Sequence, residues 1–576
     1  MSSLAKLSCS LPSGLVPDYA DAENVAAGFT SKFTSLDMPI LAEDVVWRDL
    51  FALTGSARTF YGAEACFNLW GKLTRKSVAG HFKYQPGSGR TVKVGTDSSW
   101  VEGVYTFQAD TTPKRDCVAI LSLTYIKGEW KIWVIRTVLD QLHGHPNVDH
   151  KELGPNAAEL NPPMKGQRGN ELRLDCAIIG AGQAGLSVAG RLAALGVSYV
   201  VLEKNKAIGD NWSLRYKSTK PHLPFDRTFP DSYREFLTKY DLSKGYKDWV
   251  NKYGINVWLD STLQSGQWQG EEGLWRLKVR KEGQDLEITA AHVVMAVGAG
   301  CQIPVMPKYP GSELFRGKIL HSGEYHSPEA WKGKKGIVVG TANTGHDVAE
   351  DMLTAGLSSV TMIQRSPTYV LPAEYYKIVL DKLYNASVET KVADTLSYTN
   401  PLGVNRLISK GILNEMAKSD PDRFDRLEQA GFKLIRYGDI IYQLCERFGG
   451  HYMDVGASTK IANGLIKVKS DASIVQYYEK GVIFDDGSRI ESNLIVYATG
   501  FVGNMRQSVK DFFGEDVASR VEDFWGVDHE GEIKGAFRPS GHPHLWLHGG
   551  TCGQARYFSR FIALQIRAEL DGTPLL

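Results

Sequence analysis

Close cysteine pairs are missing from this chain of 576 residues. Its cysteines, Cys9, Cys66, Cys117, Cys176, Cys301, Cys445 and Cys552, are scattered, which excludes a disulfide framework and a zinc ribbon and fits a reducing compartment. Neither C-x-x-C nor C-x4-C spacing occurs, so the dithiol of a disulfide reductase is missing as well. An excess of one charge is also missing. The 66 Lys plus Arg residues against 65 Asp plus Glu leave no field to attract nucleic acid or an anionic membrane, and small-molecule chemistry is the better expectation. There is no uninterrupted run of about 18 apolar residues. The opening MSSLAKLSCSLPSG has no basic region feeding a long apolar one, so a soluble, cytoplasmic protein without a membrane anchor is expected. H-E-x-x-H and Cys/His clusters do not occur, and no metal is expected.

What is there begins with length. At roughly 100–200 residues per domain, three or four units are expected. Residues 1–143 read as a small α+β domain. Helical stretches near Ala20–Leu36 and Ala63–Leu73 flank an Asp44–Asp49 segment, and strands follow at Trp100–Ala109, Asp116–Ile126 and Trp130–Thr137, the last two joined by a Lys127-Gly128 turn. This predicts helices on a bent antiparallel sheet. Asp44 and Asp49 are its candidate acids, with solvated surface carboxylates the plainer reading. Residues 144–172, rich in Pro, Gly, Asn and charge, read as a linker. Beyond them strands alternate with helices, the pattern of a parallel α/β sheet.

A strand–glycine loop–helix unit occurs twice in that part. The apolar run Leu174–Ile179 leads into Gly180, Ala181, Gly182, Gln183, Ala184 and Gly185, which open a helix. Gly180 permits the tight turn, Gly182 a close approach of backbone to a pyrophosphate, and Gly185 close packing of helix on strand, while the helix N-terminus faces the phosphates. The next strand, Ser198–Leu202, ends in Glu203, about 20 residues on, where an acid binds ribose hydroxyls. This loop is assigned to FAD. In the second unit Lys334–Val339 leads into Gly340, Thr341, Ala342, Asn343, Thr344 and Gly345. Here the following strand ends in Arg365, where a guanidinium binds a 2′-phosphate that a carboxylate would repel. NADPH is therefore expected rather than NADH. Asn343 and Thr344 are also explained by helix capping, and His346 by a solvated position at the helix start.

Gly209-Asp210-Asn211-Trp212 stands shortly after the first loop, and Phe315, Gly317, His321 and Tyr325 lie at the spacing F-x-G-x-x-x-H-x-x-x-aromatic. Together with the Ala498-Thr499-Gly500-Phe501 strand end, these resemble the flavin-containing monooxygenases and their Baeyer–Villiger relatives. The stretch Gly449–Ser458 and the C-terminal GG…RYFSR tail look like a YUCCA-like microbial branch of that family. The likeness runs from Leu174 to Ile566. Residues 1–143 resemble the ketosteroid-isomerase-like, or SnoaL-like, cone fold.

The resemblance implies an FAD domain (173–330 and 456–576) with an NADPH domain (331–455) inserted in it. It implies that Asn211 and Trp212 lie along the flavin, with Asp210 in place of the usual second glycine, that Gly500 marks the return to the FAD domain, and that His321 links the two cofactor domains. It implies an enzyme that uses NADPH and O2 to form a flavin hydroperoxide and passes one oxygen atom to a small organic metabolite, as in secondary metabolism, with no catalytic side chain required. Tyr325 tilts the reading toward oxygenation of nitrogen or sulfur. Baeyer–Villiger oxidation of a ketone or aldehyde and oxidative decarboxylation of a 2-oxo acid stay open, and so does a flavin redox sensor with a ligand-binding cone domain. A homodimer through the N-terminal domain is a further expectation.

Overall fold

The computed structural model describes residues 2–151, 167–168, 171–215, 232–233, 237–298 and 303–575. Most of the expected 144–172 linker, and Cys301, lie outside them.

The N-terminal domain is a seven-stranded sheet in the order 57–61, 41–50, 129–142, 115–126, 98–109, 79–84, with 90–94 also paired to 98–109. It is not wholly antiparallel as expected, because Leu41–Leu50 runs parallel to Glu129–Leu142. The helical segment delivers the chain to the sheet end where that last strand also begins. The expected first helix breaks at Phe29 into Ala22–Gly28, capped by the Asp21 side chain, and Thr30–Thr34. The helices cover one face of the sheet, where Phe33, Trp47, Trp70 and Tyr105 form a buried aromatic core.

The other face of this sheet is turned toward the rest of the chain and mixes apolar residues such as Val46, Trp100 and Val134 with buried charged ones. Arg48 grips Glu532 with Nε and Nη2, at 2.7 and 2.6 Å, and its Nη1 donates to the carbonyls of Tyr398 and Asn400. Thr59 donates to the same carboxylate. Arg115 donates to the Leu575 carbonyl and Arg136 to that of Leu396. Asp49, expected as a solvated acid, is fully buried. It accepts from the amides of Leu53 and Thr54 and from the hydroxyls of Thr54 and Thr137, and burial raises its pKa. Four donors on one carboxylate make it a buried structural group. Asp44, half-buried, accepts from Ser10. Because this sheet face is occupied by the chain itself, a dimer through the N-terminal domain would need another surface.

Two α/β sheets follow. The first has the order 257–258, 199–202, 171–179, 284–295, 274–281, 261–269, with 545–547 also on 284–295. The second is five-stranded and parallel throughout, in the order 318–321, 494–497, 335–339, 359–363, 467–469. The chain leaves the first sheet after Met295 and re-enters it at Leu545, which makes the second unit an insertion. The second sheet draws strands from both sides of the expected 331–455 span, since Lys318–His321 and Leu494–Tyr497 pair with each other within it. The crossing back thus follows Tyr497. Among the described residues no helix is long and apolar enough to cross a membrane.

Candidate functional site

The two glycine loops have nearly the same geometry. Gly180 has φ +106°, and a Cβ there would lie 2.6 Å from the Ala296 carbonyl oxygen. Gly340 has φ +117°, with Ala498 oxygen at 2.5 Å from such a Cβ. Both positions therefore need glycine for conformation and for space. A Cβ on Gly185 would meet Gly180 oxygen at 1.9 Å, and one on Gly345 would meet Gly340 oxygen at 2.2 Å. The third glycine of each loop is thus where the helix presses on the first. The middle positions also match: Gly182 has φ −81°, ψ −174° and Ala342 has φ −86°, ψ −172°. Any residue adopts that extended conformation. Ala342 is accordingly unstrained, and its methyl group only takes room beside the loop.

Glu203 is buried. Its Oε2 accepts from the Ala181 amide at 2.8 Å and its Oε1 from the Asn205 amide at 2.9 Å. This ties the carboxylate to the loop, and each oxygen keeps a lone pair for a ribose hydroxyl. Gln183 opens the helix Gln183–Ala194 and donates to the Gly550 carbonyl at 3.0 Å. Its Oε1 accepts from Tyr246, whose hydroxyl in turn accepts from Trp212 Nε1. Trp212 is half-buried, with the Arg215 guanidinium 4.4 Å from its ring centre. Gly209, at φ +84°, has no room for a Cβ against Ser243. Asp210 accepts from the Ala207 amide and the Ser213 hydroxyl, so it closes this short turn where the family has glycine. Asn211 points its Nδ2 toward Gly182, 3.5 Å from where a Cβ would stand. A loop whose middle glycine meets only the Asn211 amide, with a buried carboxylate beside it and Trp212 close by, fits FAD.

At the second loop capping does not explain Asn343. The cap residue is Ala342, and Asn343 Oδ1 instead accepts from the Met453 amide at 2.8 Å. Thr344 is half-buried beside it. His346 is not solvated as expected. It is 1% exposed and stacks on Tyr452 with ring centres 3.6 Å apart, because the strand His451–Asp454 closes over the helix start. Arg365 is exposed just past the strand Ser359–Ile363 and forms no ion pair among the described residues, which leaves its fork for a phosphate. Substituting Arg365→Ala removes about 1.5–3 kcal/mol of charged hydrogen bonding. The NADPH Michaelis constant is expected to rise roughly 10- to 150-fold, with that for NADH little changed. Steady-state kinetics with both reductants checks this, and equal effects would refute the assignment.

Of the fingerprint residues, His321 holds the crossing between the sheets. His321 is 1% exposed; its Nδ1 accepts from the Gly323 amide and its Nε2 donates to the Gly500 carbonyl, both at 3.1 Å. That fixes the neutral tautomer, and burial lowers its pKa. Gly500 has φ +82°, and Phe501 meets the His321 ring edge-on. Phe315 packs with Tyr477 and Tyr497, and Gly317 has no room for a Cβ beside the Phe315 ring and Asn493 oxygen. Tyr325 is 1% exposed in the second domain's core, with its hydroxyl on Asp351 at 2.9 Å. It does not face the crossing. Sequence reasoning missed Tyr246, and did not foresee that the Gly550 carbonyl accepts from Gln183 or that the glycine loops abut the carbonyls of Ala296 and Ala498. The small residues ending both strands were the available signal for the last two.

A model described as flavin-binding monooxygenase-like matches residues 174–517. That is more than half of the chain, and the chain belongs to this family. It is 29% identical over 354 residues to the probable indole-3-pyruvate monooxygenase YUCCA3 of Arabidopsis thaliana, covering 59% of this chain and 76% of that protein. With the indole-3-pyruvate monooxygenase YUCCA8 of Oryza sativa subsp. japonica it shares 26% over 389 residues, covering 65% and 84%. Solved structures that resemble it include a flavin-containing monooxygenase from Stenotrophomonas maltophilia (TM-score 0.45, 18% identity, 69% of this chain and 99% of that one). Another is cyclohexanone monooxygenase from Rhodococcus sp. Phi1 bound to NADP+ (TM-score 0.48, 15% identity, 69% and 84%). The chain is a flavin-dependent monooxygenase of this family, with its N-terminal domain outside the matched span.

Proposed function

We propose that the enzyme oxygenates a small organic acid at a carbonyl carbon, as in oxidative decarboxylation of a 2-oxo acid. Its stoichiometry is R-CO-COO− + O2 + NADPH + H+ → R-COO− + CO2 + NADP+ + H2O. Bound flavin supplies the two-electron chemistry that activates oxygen. The chain's own residues bind and align. Gly180–Gly185 and Glu203 hold one dinucleotide, Gly340–Gly345 and Arg365 the other, and His321 ties the second sheet's edge strand to Gly500 at the crossing.

The observation that carries the reading is the presence in one chain of two glycine loops of the same geometry, Gly180 set against the Ala296 carbonyl and Gly340 against the Ala498 carbonyl. Its carbonyl form is supported by the relatives named as indole-3-pyruvate monooxygenases. Oxygen transfer to nitrogen or sulfur is the second reading. It rests on the identity of Tyr325, whose burial on Asp351 gives that residue no access to a substrate.

The test supplies 18O2 and NADPH with phenylpyruvate, a ketone, an amine and a sulfide, followed by mass spectrometry. One labelled oxygen in phenylacetate per NADPH consumed is expected. Label only in the amine or sulfide product sinks the carbonyl reading, and hydrogen peroxide as the only product with every class sinks monooxygenation of these substrates altogether.

A further inference from the structure

A cavity of about 590 Å³ lies beside the first glycine loop. It is bounded by the helices Gln183–Ala194, Lys239–Tyr253 and Cys552–Leu570, by the segment at Thr390–Asp394, and by Val148–Lys151, which leads out of the N-terminal domain. At one end it reaches Gln183 and Cys552, the first residues of their helices, and Gln183 is held by Gly550 and Tyr246. Val148, Asp149 and Lys151 precede the family-matched residues and Cys552, Arg556, Tyr557 and Arg560 follow them, while the rest of the lining lies within the match.

The walls combine flat apolar surface with a surplus of cations. Tyr246, Trp249, Tyr253 and Tyr557 supply the aromatic faces, and Gly190 gives Trp249 its place, since a Cβ there would lie 2.6 Å from the indole. Arg191, Arg560 and Lys391 share two carboxylates, Asp140 and Asp149. Arg556 and Asp394 satisfy each other. Lys151 donates to the Tyr253 carbonyl and Lys252 lies over the Tyr253 ring; neither forms an ion pair among the described residues. A cavity of this size suits a small molecule. Aromatic faces favour a planar body, and unbalanced cations favour an anion over an amine.

We infer that this cavity holds the oxygen-accepting substrate, an organic anion with a flat apolar body. The inference rests on the proposed function for the word substrate, while the site itself is defined by its walls. Ala194 lines the far end, 11 residues along the helix from Gln183, or roughly 16 Å from the loop. Ala194→Trp fills that end without touching the dinucleotide loop, and Lys252→Glu reverses a cation at the rim.

Isothermal titration of the FAD- and NADP+-loaded full chain with phenylpyruvate, acetophenone and phenethylamine reads the site directly. Phenylpyruvate is expected to bind the wild type, about tenfold or more weaker in Ala194→Trp and about threefold or more weaker in Lys252→Glu, with phenethylamine failing to bind. Flavin content and its bleaching by NADPH should be the same in all three proteins. No binding of phenylpyruvate, unchanged binding in Ala194→Trp, or phenethylamine binding as well as phenylpyruvate overturns the assignment. Loss of NADPH bleaching in the wild type would instead overturn the redox reading, since calorimetry does not depend on it.

Discussion

Gly185→Ala is expected to produce a folded protein that purifies without FAD. The new Cβ would lie 1.9 Å from Gly180 oxygen and 3.3 Å from the Ile178 side chain. The first contact is with backbone at the end of a strand buried in the first sheet, so it cannot rotate away. Either the helix lifts or the loop opens, and both displace the amides meant for the pyrophosphate. Overpacking of this kind costs about 1–3 kcal/mol or more, which for a binding loop corresponds to a loss of roughly 5- to 150-fold or more in FAD affinity. Gly345→Ala is the matched control, with its Cβ 2.2 Å from Gly340 oxygen. That variant should keep its flavin and lose reduction by NADPH. Flavin absorbance after purification, together with circular dichroism, separates the two. A Gly185→Ala protein with a full complement of FAD would exclude the first loop as its site.

Arg48→Ala should weaken the whole molecule. The Arg48 and Glu532 side chains are each 3% exposed and meet through two hydrogen bonds. Removing the guanidinium leaves the Glu532 carboxylate buried, with the Thr59 hydroxyl still donating to it, and also strips donors from the carbonyls of Tyr398 and Asn400. Breaking one side of such a pair costs about 3–5 kcal/mol. The expected result is a lower denaturant midpoint and separate unfolding of the N-terminal domain. Arg48→Met combined with Glu532→Leu should recover most of the loss, because two apolar side chains leave no charge unpaired. A single variant with an unchanged midpoint would show that the interface is held by its other contacts.

The cofactor loops were legible because each is local. Strand, turn and helix follow one another directly, in Glu171–Ala194 and Lys335–Thr354, and Glu203 and Arg365 lie just past the next strand in each unit. The fingerprint residues were legible as spacing, and their role followed once His321 was seen to reach Gly500. Other residues were misread because their surroundings come from far along the chain. Asp49 looked like a surface acid, yet Thr137 and the turn at Leu53–Thr54 enclose it. His346 looked solvated, yet Tyr452 lies flat upon it. Tyr246 carries no motif at all and becomes visible only because it stands between Gln183 and Trp212.

The absence of cysteine pairs, the balanced charge, the two glycine loops and the residues that end their neighbouring strands were determined by sequence alone, since conformational demands at glycine and charge matching at a phosphate act over a few residues. Tertiary structure alone decided which strands form the inserted sheet, how the N-terminal domain is fastened by Arg48 and Arg136, and that a cavity lies between the segment after that domain and the C-terminal helix. Those features depend on burial and on contacts between residues hundreds of positions apart, and burial is what turns an ordinary acid, histidine or arginine into a fixed part of the molecule.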